Sequence, residues 1–113
     1  TQEVMCSMVG KTAMHFASKQ NTVIGVVITN AELNKEETNK IAQMGQDGLA
    51  RVVRPAHTMV DGDTLFALAT GKKKCDVNII GAFAADMVSA AILAAIKCAE
   101  PIEGFPSFQS FKA

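Results

Sequence analysis

Two short stretches of the sequence hold residue types that could do chemistry, and the first is Asn21-Thr22. It stands where a polar run, Ser18 to Asn21, gives way to an apolar run, Val23 to Ile28. One interpretation is that Asn21 closes a loop and Thr22 opens a strand. The other is that the Asn21–Thr22 bond is cut, so that Thr22 becomes a catalytic N-terminus. The residue types alone leave both interpretations open.

The second stretch is Asp61-Gly62-Asp63, which stands directly before Thr64. Asp and Gly are standard turn formers, so composition alone favours a turn. Alternatively, carboxylates at positions i and i+2 share one face of an extended segment. Such a pair could polarise a nearby hydroxyl or amine, or hold a divalent cation. Because a strand is predicted to begin at Thr64, the pair occupies a common place for catalytic groups.

The elements that must position these residues begin with a strand and a helix. The apolar, β-branched residues 22–29 predict a strand that is buried on both faces. Asn34 is a good N-cap and Glu37 stands three residues later, as in a capping box, so a helix is predicted to begin there. Gly45 and Gly48 weaken that helix by roughly 1 kcal/mol each. We expect close contact with another backbone to compensate for them.

A second strand and a second helix complete the predicted pattern. Residues 64–70 predict a strand, the stretch GKKKCD predicts a turn, and residues 77–100 predict a longer helix. Because this helix is rich in alanine, we expect it to be buried against the sheet, with Ile92 and Ile96 in the core. The tail over 101–113 is expected to be irregular and attached to a surface by its phenylalanines.

The order β-α-β-α predicts an α/β segment whose two strands run parallel, because a helix returns the chain between them. Since two strands make a poor sheet, we expect the segment to complete a larger sheet with other sequence or with another copy. Adjacent parallel strands lie about 4.8 Å apart. Thr22 begins the first strand and Asp63 directly precedes the second, so we expect Asp61 and Asp63 to lie close to Thr22.

Composition narrows the classes of function. The formal net charge of zero and the pI near 6.6 argue against nucleic-acid and membrane-surface binding. Three cysteines without metal-ligand spacing indicate reduced thiols in a cytoplasmic protein, and predict neither a metal site nor a cofactor. The longest apolar segment, Val77 to Ala99, contains Asp86, Ser89 and Lys97. It is therefore interpreted as a buried helix of a soluble protein rather than a membrane span.

The stretches NTVIGVVITNAEL and GQDGLARVVRPAHTMVDGDTLFALATG, with the alanine-rich helix after them, carry a longer ordered pattern. They resemble the C-terminal part of the L-aminopeptidase/D-esterase family, which includes β-aminopeptidases and nylon-oligomer hydrolases. The resemblance runs from about Asn21 to near the end of the second helix. It implies a four-layer αββα sandwich, of which this β-α-β-α segment forms a part.

The resemblance also implies roles for the two stretches. Family members are made as one precursor that cuts itself once, and the two pieces stay together. Here the cut bond would be Asn21–Thr22, with residues 1–21 before it and residues 22–113 forming the small subunit. Thr22 would be the nucleophile, and Asp61 and Asp63 match the pair that supports it. Nylon-oligomer hydrolases carry Asp at both positions.

The chemistry of these residue types is consistent with that implication. A threonine hydroxyl is a poor nucleophile without a base. A free α-amine has a pKa of about 7.7–8.0 and can accept the hydroxyl proton near neutral pH, whereas an amide nitrogen cannot. One cut before Thr22 therefore exposes the nucleophile and creates its base.

The sequence thus predicts the C-terminal piece of a self-processing hydrolase of the aminopeptidase, amidase or esterase type. Its expected partners are the N-terminal portion of the same precursor, further copies in a homo-oligomer, and a small peptide, amide or ester substrate. By itself the chain is expected to be inactive, because the family's N-terminal piece supplies the oxyanion hole. The alternative is a non-catalytic α/β domain for small-molecule binding or oligomerisation, with Asp61 and Asp63 as turn residues.

Overall fold

The computed structural model describes residues 22–111, and within them the predicted β-α-β-α order is confirmed. The elements are β1 (Ile24–Ala31), α1 (Lys35–Val52), β2 (Thr64–Lys73), α2 (Val77–Cys98) and a short 3-10 helix (Phe108–Phe111). The predictions that fall on residues 1–21, including the Asn21 side of the predicted cleavage bond, lie outside the described residues.

Helix α1 begins at the predicted capping box. The Asn34 side chain accepts a hydrogen bond from the Glu37 N–H, and the Glu37 side chain accepts one from the Asn34 N–H, both at 2.9 Å. These two bonds satisfy main-chain donors that the first helical turn cannot pair internally. The helix ends at Val52, because Val53 adopts an extended conformation two residues before Pro55.

The two strands form the predicted parallel pair. Ile24 lies opposite Thr64, and the register continues without a break to Thr29 and Ala69. The prediction of a turn directly after residue 70 is wrong, because β2 continues to Lys73.

A bulge lets β2 continue past the predicted turn. The register shifts after Thr29, and Ala31 then pairs with Lys73. Gly71, at a φ of 73°, lies in this irregular stretch, where its positive φ lets the backbone bend without ending the strand. The Glu32 N–H donates to the Lys73 carbonyl at 2.7 Å and closes this end of the pair.

One face of the sheet is covered by the helices and the other is exposed. A Cβ placed on Gly45 of α1 would touch Val27 of β1, Leu65 of β2 and Val88 of α2, so these elements meet on the same face. The opposite face carries apolar side chains that are 54–73% exposed: Ile24, Val26, Ile28, Phe66 and Leu68. The prediction that β1 is buried on both faces is therefore wrong within residues 22–111.

The tightest packing lies between α1 and α2. Ile41 and Leu49 of α1 are fully buried. Gly48 approaches the Ala85 backbone so closely that a Cβ on it would overlap the Ala85 carbonyl group. The Ser89 hydroxyl donates to the Gly48 carbonyl at 2.7 Å across the same contact. The expected close approach of a second backbone is thus found at Gly48.

Helix α2 forms nearly over the predicted range and lies on the covered face of the sheet, but the prediction that few of its residues are exposed is wrong within residues 22–111. Its buried residues are small or medium-sized and recur along one face that packs on α1: Gly81, Ala84, Ala85 and Val88. Ile96 is 54% exposed and Ile92 is only half-buried. Two strands are too narrow to cover a helix that is apolar on all sides, so most of its surface is uncovered in this part of the chain.

The length and apolarity of α2 have a second consequence. A window of this helix has a mean hydropathy of 2.1, and only 22% of it is buried, so by length and composition it could also cross a membrane. A core helix of a soluble protein satisfies the same criteria. The interpretation of α2 as a soluble core helix stays a prediction.

Candidate functional site

The side chain of Thr22 lies against Gly62, the residue between the two predicted carboxylates. A Cβ built on Gly62 would lie 2.8 Å from Thr22 Oγ1 and 3.8 Å from its Cβ and Cγ2. The hydroxyl is therefore the part of the Thr22 side chain that lies nearest to the position a Gly62 side chain would occupy. This contact exists because β1 and β2 start side by side.

Asp63 reaches across to the chain that follows Thr22. Its Oδ1 accepts a hydrogen bond from the Val23 N–H at 2.8 Å, in a half-buried position. The Val23 carbonyl in turn accepts a hydrogen bond from the Thr64 N–H at 2.9 Å. Both main-chain polar groups of Val23 are thus bound to Asp63-Thr64. These two bonds fix the main chain immediately after Thr22.

Asp61 is half-buried and makes its hydrogen bonds within its own loop. Its Oδ2 accepts from the Thr58 N–H at 2.7 Å, and its own N–H donates to the Thr58 carbonyl at 3.2 Å. The pair of bonds closes the loop over 58–61 and leaves Met59 and Val60 exposed at its tip. The turn interpretation therefore accounts for the bonds of Asp61, whereas Asp63 makes a contact between distant parts of the chain.

Gln46 of α1 is a neighbour of this site that sequence reasoning missed. Its Nε2 lies 3.5 Å from the Asp63 carbonyl oxygen, a long and weak hydrogen bond. Its Oε1 is buried and makes no hydrogen bond within the described residues. No sequence signal marks this position, because a single glutamine in a helix is usually solvent-exposed.

The described residues offer no further ligands that would complete a metal site. Across residues 22–111, no group of three or more His, Cys, Asp or Glu side chains is arranged to hold a metal ion. The divalent-cation interpretation of Asp61 and Asp63 therefore gains no third ligand from this part of the chain.

The arrangement brings a hydroxyl, a carboxylate and an ordered main chain together at the starting edge of a parallel sheet. Thr22 supplies the hydroxyl, Asp63 supplies the negative charge, and Gly62 leaves open the space beside the Thr22 hydroxyl. Such a set can hold a hydroxyl nucleophile and stabilise a positive charge on a neighbouring nitrogen. The catalytic roles of Thr22, Asp61 and Asp63 stay predictions.

Comparison with known proteins places the chain in a family. Residues 2–109 match the sequence model of peptidase family S58. The chain is 42% identical to an uncharacterized aminopeptidase of Mycobacterium leprae, over 80% of this chain and 29% of that protein. It is 31% identical to a 6-aminohexanoate-oligomer endohydrolase of Paenarthrobacter ureafaciens, over 68% of this chain and 25% of that protein. The predicted family resemblance is confirmed.

The relatives are much longer than this chain. An uncharacterized aminopeptidase of Mycobacterium tuberculosis is 39% identical over 83% of this chain, yet the match covers 32% of that protein. The chain thus spans about a third or less of the length of these curated relatives.

Proposed function

The chain belongs to peptidase family S58, and from this premise we propose that it is the C-terminal piece of a self-processing amide hydrolase with Thr22 as nucleophile. The observation that carries the proposal is the meeting of the Thr22-Val23 segment with Gly62 and Asp63. The Thr22 hydroxyl lies nearest to the position a Gly62 side chain would occupy, and the Asp63 carboxylate binds the N–H of the next residue, Val23. A local turn at Asp61-Gly62-Asp63 would form without the hydrogen bond between Asp63 and Val23.

The proposed chemistry starts with the cut of the Asn21–Thr22 bond. The Thr22 Oγ1 attacks the Asn21 carbonyl carbon, the carbon–nitrogen bond breaks to leave an ester and a free Thr22 amine, and water hydrolyses the ester to release the Asn21 carboxylate. That amine then accepts the hydroxyl proton while Oγ1 attacks the carbonyl carbon of a substrate amide. The proton passes to the leaving nitrogen as the carbon–nitrogen bond breaks, which leaves an ester on Thr22. Water hydrolyses the ester and restores the hydroxyl.

Asp63 has two proposed roles in this chemistry. Through Oδ1 it holds the Val23 N–H and so fixes the main chain that bears the nucleophile. Through its charge it stabilises the ammonium that forms on the adjacent nitrogen of Thr22, since preorganised charge of this kind is often the largest catalytic contribution. Asp61 supports Asp63 indirectly, because it closes the loop over 58–61 that leads into Gly62.

The proposed partner is the N-terminal portion of the same precursor. The outer face of the sheet carries five apolar side chains that are more than half exposed, and exposed apolar patches of this kind mark interaction surfaces. A second sheet packed on this face would give the four layers of an αββα sandwich. The uncovered apolar side chains of α2, such as Phe83 and Met87, support burial within that assembly or in a homo-oligomer.

The proposed substrate class is a small peptide, amide or ester. It is supported by the names of the relatives, which are an aminopeptidase and a 6-aminohexanoate-oligomer endohydrolase. The alternative of a non-catalytic binding or oligomerisation domain would leave the bond between Asp63 and Val23 without a chemical role.

The test uses the full-length precursor and intact-mass spectrometry. We expect a break before Thr22 in the parent protein, no break in Thr22→Ala, and a break again in Thr22→Ser, which keeps the hydroxyl. Hydrolysis of an amide substrate should likewise be present in the parent protein, absent in Thr22→Ala and present in Thr22→Ser. Normal turnover by purified Thr22→Ala, or a stable uncut parent protein, would show that Thr22 is not the nucleophile.

A further inference from the structure

The contact between Gly62 and Thr22 is tight enough that a side chain at position 62 would force one of the two residues to shift. A Cβ on Gly62 would lie 2.8 Å from Thr22 Oγ1, and real Cβ atoms essentially never approach another heavy atom closer than 3.0 Å. The hydroxyl is only one bond beyond the Thr22 Cβ, so it can move aside only by rotation about χ1 or with the main chain. Its present position therefore requires a residue without a side chain at 62.

Backbone conformation does not explain this glycine. The φ of Gly62 lies outside the left-handed region, so an alanine could adopt the same main-chain conformation without strain. Gly71 and Gly104 show the opposite combination, with φ values of 73° and 80° and nothing within 4 Å of an added Cβ. Among these three glycines, only Gly62 is required by a neighbouring side chain rather than by its own φ.

The loop around Gly62 is held on both sides, so it cannot easily retreat from an added methyl group. Before Gly62, the Asp61 side chain accepts from the Thr58 N–H at 2.7 Å. After it, the Asp63 side chain accepts from the Val23 N–H at 2.8 Å. A methyl group at 62 would therefore displace the Thr22 hydroxyl rather than the loop.

We infer that Gly62 is a positioning residue for the nucleophile, which it serves by leaving open the space that the Thr22 hydroxyl faces. The inference rests on the proposed function of Thr22. Threonine is stiff about χ1, because two heavy atoms on Cβ restrict its rotamers. If Thr22 relieves the overlap by turning to another staggered rotamer, Oγ1 moves by more than 1 Å. A misplacement of about 1 Å can lower a rate by about 10²-fold.

The test compares Gly62→Ala with Gly71→Ala in the full-length precursor. For Gly62→Ala we expect kcat on an amide substrate to fall by about 10²-fold or more, with KM and the melting temperature little changed. Self-cleavage, followed by intact mass, should slow in parallel because the same hydroxyl is used. For Gly71→Ala we expect the melting temperature to fall, because alanine is strained at this positive φ. Its kcat should not change.

A second substitution separates positioning from a general structural effect. Serine lacks the Cγ2 methyl group of threonine, so its χ1 is less restricted and its hydroxyl can move just far enough to clear the added Cβ without a full change of rotamer. We expect Gly62→Ala combined with Thr22→Ser to recover about tenfold or more of the kcat lost in Gly62→Ala alone. If Gly62→Ala leaves the precursor uncut, the same recovery is measured as the fraction of cut chain.

The outcomes distinguish this inference from the proposed function. If Thr22→Ala keeps full turnover, the proposed function fails and the inference fails with it. If Thr22→Ala is inactive but Gly62→Ala cuts and turns over like the parent, only the inference is overturned. It is also overturned if Gly62→Ala loses activity that Thr22→Ser does not restore.

Discussion

Substitutions of Asp63 separate the two roles that we propose for its carboxylate. Asp63→Asn keeps an oxygen that can accept the Val23 N–H but removes the negative charge. Asp63→Ala removes both the acceptor and the charge. Because the Val23 bond is 2.8 Å long and lies between distant parts of the chain, the two variants should differ in stability as well as in activity.

The expected magnitudes follow from the geometry of that bond. A hydrogen bond to a charged group contributes about 1.5–3 kcal/mol, and since the site is only half-buried we expect Asp63→Ala to lower the free energy of unfolding by about 1–2 kcal/mol. Asp63→Asn should stay within about 1 kcal/mol of the parent, because a neutral acceptor gives a weaker bond of the same shape. Loss of the charge should lower kcat by about 10²–10³-fold in both variants.

The assay is urea unfolding together with steady-state hydrolysis by the full-length protein. Asp76→Ala serves as a matched control, because Asp76 caps α2 by accepting from the Asn78 N–H at 2.8 Å. It should lower stability by about 1 kcal/mol and leave kcat unchanged. Parent-like kcat in Asp63→Asn would refute the role of the charge. Equal stability of Asp63→Ala and the parent would refute the role of the Val23 bond.

Two further predictions concern packing and assembly. Gly48→Ala should destabilise the protein by about 1–3 kcal/mol in urea unfolding, because a Cβ would overlap the Ala85 backbone. Gly45→Ala should cost less, because its nearest neighbour is the end of a side chain at 3.3 Å, and equal losses would contradict the argument. Phe66→Asp on the outer sheet face should prevent association with the N-terminal portion in size-exclusion chromatography. Phe105→Asp, at a comparable exposure in the tail, should not; an intact complex with Phe66→Asp would rule out the sheet face as the interface.

The sequence by itself determined the features that depend on short-range interactions. The start of α1 could be predicted because the capping box joins Asn34 and Glu37, which are three residues apart. The order of strands and helices followed from hydrophobic patterns, and the parallel pairing followed from the helix between the strands. Together these placed the start of β2 beside Thr22, so the general location of the candidate site was predictable.

Tertiary structure alone decided the features that depend on residues far apart in the chain. β2 continues to Lys73 because Ala31 pairs with it after a bulge, and no local signal specifies that pairing. Helix α2 packs tightly on α1 because Gly48 lets the two backbones approach, a fit that depends on shape in three dimensions.

The detailed geometry of the candidate site also depends on residues that are far apart in the chain. A carboxylate that binds its own loop and one that binds a distant strand look alike in sequence, and only the structure separates Asp61 from Asp63. Likewise, a glycine in an Asp-Gly-Asp stretch looks like an ordinary turn residue. A Cβ on Gly62 would lie 2.8 Å from Thr22 Oγ1, a side chain forty positions away, because the fold brings the two strand starts together.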